Sequence, residues 1–153
     1  PYCDGGELFD YVSDTGALEE EVARNLFLQL LTGLEYLQQM GICHRDMSLE
    51  NLLITGGNQC VIIDLGIVFG VFSTPEHGIA PCNKRLSLQV PRDPETNAYQ
   101  LITPQGTCGK RNYISPEIVQ NAAPFDGFAI DMWACGIILF IMLTGGTHTS
   151  INR

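Results

Sequence analysis

Asp46 and Asn51 stand five residues apart in the stretch HRDMSLEN, His44 to Asn51. A loop aspartate can orient an attacking hydroxyl and accept its proton. An asparagine five residues later can coordinate Mg²⁺ through its side-chain oxygen. Together these are the groups a loop needs to move phosphate. Asp64 opens a second motif, Asp64-Leu65-Gly66, and follows the apolar run Cys60 to Ile63, so its carboxylate projects from the end of a strand. Neither motif is specific by itself: HRD can be a chance polar tripeptide, and Asp-x-Gly often only makes a turn. Ser115-Pro116-Glu117 and Asp131-Met132-Trp133-Ala134-Cys135-Gly136 follow further along.

Such groups need rigid mounts, and hydrophobic periodicity supplies candidates. Glu7 to Val12 reads as a short helix after the Gly5-Gly6 turn, broken by Asp14-Thr15-Gly16. Leu18 to Met40 reads as a long amphipathic helix, with Val22, Leu26, Leu30, Leu34 and Leu37 recurring on one face. Glu19, Glu20 and Glu21 suit its positive N-terminal end, and Gly41 suits its stop. Leu52-Leu53-Ile54 and Cys60 to Ile63 are short strand candidates around a Thr55-Gly56-Gly57-Asn58 turn. From Gly66 to Gly109 the pattern is lost among scattered prolines, and a long loop is expected. Pro116 opens a short helix carrying Ile118 and Val119. Ala129 to Leu143 is a last, almost wholly apolar helix, expected to be central and buried.

The 153 residues suit one domain, and an apolar fraction of 45% suffices for the core of a soluble globular protein. A net charge of −9 argues against nucleic acid as a partner and is compatible with basic peptides. Six cysteines are scattered without a CxxC pair, which reads as reduced thiols in an intracellular, cytoplasmic setting. The apolar run Ala134 to Leu143 is too short to span a bilayer, so no membrane segment is visible. Pro1 falls inside an apparent motif, and the chain is expected to be a fragment.

The motifs HRDMSLEN, DLG and SPE, in that order, resemble the catalytic, metal-binding and large-lobe elements of eukaryotic protein kinases. "PYCDGGELFDYV" is similar to the family's hinge and first large-lobe helix, and "DGFAIDMWACGIILFIMLTG" to its central helix. The likeness covers nearly the whole chain, and "GGELFDYV" is most similar to serine/threonine kinases of the calcium/calmodulin-dependent group. The resemblance implies an α+β fold: a mainly helical large lobe with a small β-hairpin at the active site, the small lobe absent. It implies one partial kinase domain over 1–153, from hinge to central helix, with 64–117 as an activation segment carrying an insertion around Thr74 to Thr103.

The same resemblance implies roles for residues. Asp46 is the catalytic base; Asn51 and Asp64 hold Mg²⁺ and so position the phosphates of ATP. Main-chain atoms of Tyr2 and Cys3 bind the adenine edge, and Leu53 lies under the ring. His44, Leu65 and Asp131 support the catalytic loop, and Glu117 pairs with an arginine beyond this chain. Glu7 and Glu50 match carboxylates that read a basic residue before the acceptor; a ribose contact for Glu7 and a solvated charge for Glu50 are the plainer alternatives. Thr74, Ser87, Thr103 and Thr107 are candidate phosphosites whose phosphate Arg45 can pair with, although any one of them can equally be a solvated loop residue.

One position departs from the family. Its loop reads HRDLKPEN, with a lysine that contacts the transferred phosphate, where this chain has Ser48. Aligning Gly109-Lys110-Arg111-Asn112-Tyr113 on the family's G-T-P-x-Y puts Lys110 where a threonine stands. The expectation is an exchange: Lys110 delivers the ammonium, Ser48 returns the hydroxyl, and both count as catalytic. The alternative is a Lys110 that points to solvent. The expected activity is ATP- and Mg²⁺-dependent phosphorylation of serine or threonine in protein substrates by the full-length protein, the fragment itself being inactive. A pseudokinase-type binding scaffold and an inactive truncated fragment are the rivals.

Overall fold

The computed structural model describes residues 2–65, 88–104, 106 and 109–146. Helix α1, Leu8–Thr15, buries Leu8 and Val12. It runs past the expected break to Gly16, whose N–H bonds Val12 at a φ of 76°. Helix α2, Glu20–Gln39, buries Leu26, Leu30, Leu34 and Leu37 as the periodicity predicts. Val22 departs from that stripe and is 40% exposed, while Ala23 is fully buried. Positions three and four before Leu26 both lie near its face, and the small side chain takes the inward one. Leu18 lies ahead of the helix, is buried, and donates its N–H to Met142 across 2.7 Å.

Strand β1, Ile42–Cys43, leads straight into the polar loop. Strands β2, Leu52–Ile54, and β3, Cys60–Ile62, form the expected hairpin, with Leu53 opposite Val61. The N-terminal segment lies along its free edge: Gly5 donates to Ile54 O and Ile54 to Gly6 O, both at 2.9 Å.

The expected structureless loop is corrected over 88–104. Strand β4, Leu88–Gln89, pairs antiparallel with β1, setting Cys43 opposite Leu88. Val90 and Ile102 are buried, and the Tyr99 hydroxyl donates to Gln38 O across 2.6 Å. Two-residue strands and single anchoring residues are too short to show a period.

Helix α3, Pro116–Gln120, buries Ile118 and leaves Val119 64% exposed. Helix α4, Gly127–Thr144, begins two residues before the expected start, because Asp126 caps it by accepting from Phe128 N at 2.8 Å. By length and composition alone α4 is apolar enough to cross a membrane, which corrects the shorter run read from sequence. It instead packs against α2 and carries a buried aspartate, Asp131, bonded to the polar loop. Two apolar clusters result. One joins α1, α2, the hairpin and α4; the other joins Cys43, Val90, Ile102, Ile118, Phe125 and Phe128. The His44–Asn51 loop is held between them, with Met47 and Leu49 anchored in the first.

Candidate active site

Asp131 is 1% exposed and fixes the start of the loop. Its Oδ2 accepts the His44 N–H at 2.6 Å and its Oδ1 the Arg45 N–H at 2.7 Å. Burial pushes its carboxyl up, to about 6, against the opposing pull of those two N–H groups. Arg45 can then hold a φ of 67°, a left-handed conformation that ordinary side chains rarely adopt. His44 is also 1% exposed. Its Nε2 donates to Ile63 O at 2.9 Å, and its Nδ1 accepts from Asp46 N at 3.3 Å. The histidine thereby ties the loop to the residue that links β3 to Asp64.

Asn51 locks the aspartate. Its Nδ2 donates to Asp46 O at 2.7 Å and reaches Asp46 Oδ2 at 3.3 Å. Asp46 Oδ1 is shut off from solvent and accepts no hydrogen bond among the described residues. A Cβ at Gly109 would lie 4.0 Å from this oxygen, so the turn before Lys110 helps to cover it. Ile63 N donates to Asn51 O at 3.0 Å, which sets Asp64 beside Asn51. Asp64 is exposed and has a φ of 64°. With its amide nitrogen spent on Asp46, Asn51 has only its side-chain oxygen left to offer a metal ion. Among the described residues no three His, Cys, Asp or Glu side chains cluster as a metal cage. Two protein oxygens, with the remaining positions left to phosphates and water, are a donor set that suits Mg²⁺.

Lys110 reaches this loop from the 3₁₀ turn Arg111–Tyr113 that it precedes. Its Nζ donates to Ser48 Oγ at 2.6 Å and lies 3.6 Å from Glu50 Oε2. Ser48 is fully buried. Two further residues support the loop and were not singled out by sequence. Gly109, at a φ of 97°, brings the chain so close that a Cβ there would sit 3.3 Å from Arg45 O. Tyr113 accepts the Leu49 N–H at 3.5 Å, and burial pushes its hydroxyl up to about 12. The tyrosine of the G-T-P-x-Y alignment was the available signal for both.

Other expected residues lie where their elements carry them. Glu7 bridges Leu53 across the hairpin edge, and both are half-buried. Tyr2 is 90% exposed and Cys3 half-buried beside the same edge. Glu117 is half-buried in α3, and Thr103 is exposed next to buried Ile102. Leu65, expected to support the loop, is 39% exposed and belongs to neither apolar cluster of the described residues. Gly66, Thr74, Ser87 and Thr107 lie outside the described residues.

A family model described as protein kinase domain matches residues 1–152. The chain is 34% identical over 144 residues to CBL-interacting protein kinase 31 of Oryza sativa, covering 94% of this chain and 26% of that protein. It is 38% identical over 141 residues to CBL-interacting serine/threonine-protein kinase 1 of Arabidopsis thaliana, covering 92% and 26%. A probable serine/threonine-protein kinase of Dictyostelium discoideum is 36% identical over 144 residues, covering 94% and 14%. The chain therefore spans about a quarter or less of the length of these relatives. With the family match running from end to end and the loop, strand and central helix in their places, this chain belongs to the protein kinase family and forms part of its large lobe.

Proposed function

We propose that the full-length protein transfers the γ-phosphate of ATP to serine or threonine hydroxyls of protein substrates. The observation that carries this reading is the clamp of Asn51 on Asp46, which fixes a half-buried carboxylate on the loop. A substrate hydroxyl placed there gives Asp46 its proton as the oxygen attacks phosphorus. Asn51 and Asp64 hold Mg²⁺, which when bound neutralises phosphate charge. Main-chain atoms of Tyr2 and Cys3 meet the adenine edge, with Leu53 under the ring. Glu7, at the hairpin edge, is the carboxylate placed to read a basic residue before the acceptor.

Lys110 and Ser48 complete the reading as an exchanged pair. An ammonium has three donors; one is spent on Ser48 and one faces Glu50. The third is left for a transferred phosphate. Residues 64–117 act as the activation segment, with Thr103 exposed to an activating enzyme. The test is phosphate transfer from radiolabelled ATP by the full-length protein and by Asp46→Asn. The variant is expected to lose nearly all transfer while keeping its unfolding midpoint. Equal transfer by the two proteins would overturn the reading in favour of a binding scaffold.

A further inference from the structure

Glu50 already has a cation. Its Oε2 is closed to solvent, accepts no hydrogen bond among the described residues, and lies 3.6 Å from Lys110 Nζ. The two side chains are only about one-third exposed, at 32% and 35%, so water screens them weakly. Lys110 is also fixed in place. Its ammonium is held by a fully buried hydroxyl, Ser48 Oγ, at 2.6 Å. Its backbone is held by Gly109 against the Arg45 carbonyl and by the Tyr113 N–H on Lys110 O at 2.8 Å. A substrate arginine brought to Glu50 would meet a like charge that cannot easily withdraw. Like charges set side by side at an interface reject a partner.

We propose that Lys110 is a specificity-determining residue: it fills the Glu50 carboxylate from within the chain. The substrate residue facing Glu50 is then neutral or acidic rather than basic. This rests on the kinase reading for what the subsite does, and it separates Glu50 from Glu7, whose carboxylate is left for a basic residue. One substitution, a lysine in the turn that approaches the loop, thereby changes which proteins the site accepts.

The test is the affinity of the full-length protein for two fluorescent serine peptides, read by anisotropy. One peptide carries arginines on the amino-terminal side of the serine, and the other carries alanines there. Lys110→Met keeps the stem and removes the charge; it should raise the arginine-over-alanine preference at least about tenfold above wild type. Adding Glu50→Gln to Lys110→Met should abolish that gain. Lys110→Arg, which keeps the charge, should behave as wild type, and Glu50→Gln alone should leave the wild-type preference unchanged. Lys110→Gln stands in if Lys110→Met fails to fold. The proposal is overturned if removing the charge leaves the preference unchanged, if the gain survives Glu50→Gln, or if wild type already has a preference that Glu50→Gln removes. Affinity is read without turnover, so absence of phosphate transfer would sink the kinase reading and leave this result legible.

Discussion

Lys110 Nζ donates to Ser48 Oγ across 2.6 Å, joining residues 62 positions apart in the chain. This is the contact required by the proposed exchange, in which Lys110 supplies the ammonium and Ser48 the hydroxyl. If the trade preserves function, Lys110→Thr alone should cost at least roughly tenfold in transfer rate, about 1.4 kcal/mol. Ser48→Lys combined with Lys110→Thr should recover much of that loss, because it recreates the ordinary pair. Steady-state rates of wild type, Lys110→Thr, Ser48→Lys and the double variant decide it; additive losses, or a harmless Lys110→Thr, would leave Ser48 as a simple deficit.

Asp131→Asn should destabilise the fold by roughly 1–3 kcal/mol in urea unfolding. The carboxylate accepts from two backbone N–H groups, at His44 and Arg45. An amide has one oxygen, so its NH₂ would face one of those donors. Transfer should fall as well, since the loop that carries Asp46 loses its anchor. An unchanged unfolding midpoint would show that the two bonds contribute nothing.

Burial pushes the Cys60 thiol up to about 11 and the Cys135 thiol up to about 12. Cys135 is fully buried and Cys60 half-buried; the thiolate is the nucleophile, so alkylation of Cys135 by iodoacetamide at mildly alkaline pH should run at least about tenfold slower in folded than in unfolded protein, with Cys60 slowed less. Site-by-site mass mapping reads this, with half-buried Cys3 as the internal comparison. The sign for stability follows. The folded state keeps protons that the unfolded state releases, so this contribution is whole below the ordinary thiol range and is lost as pH climbs through about 11 for Cys60 and about 12 for Cys135. Equal alkylation rates in the two states would contradict the burial.

The family, the order of its motifs and the main elements were legible in the sequence because each rests on local signals. Leu26, Leu30, Leu34 and Leu37 share one face at helical spacing, and the hairpin announces itself by two apolar runs around a glycine turn. Asp46, Asn51 and Asp64 could be picked out only through the ordered set of motifs and the family it resembles, since neither motif is specific by itself. What spacing could not supply was contact between distant residues. Sequence suggested that Lys110 and Ser48 belonged together, but only the folded chain put 2.6 Å between them and set Glu50 against the same ammonium. The pairing of β4 with β1, and the inward turn of Ala23 rather than Val22, were likewise decided by tertiary packing. A two-residue strand has no period to read, and two neighbouring positions on a helix face are separated only by what packs against them.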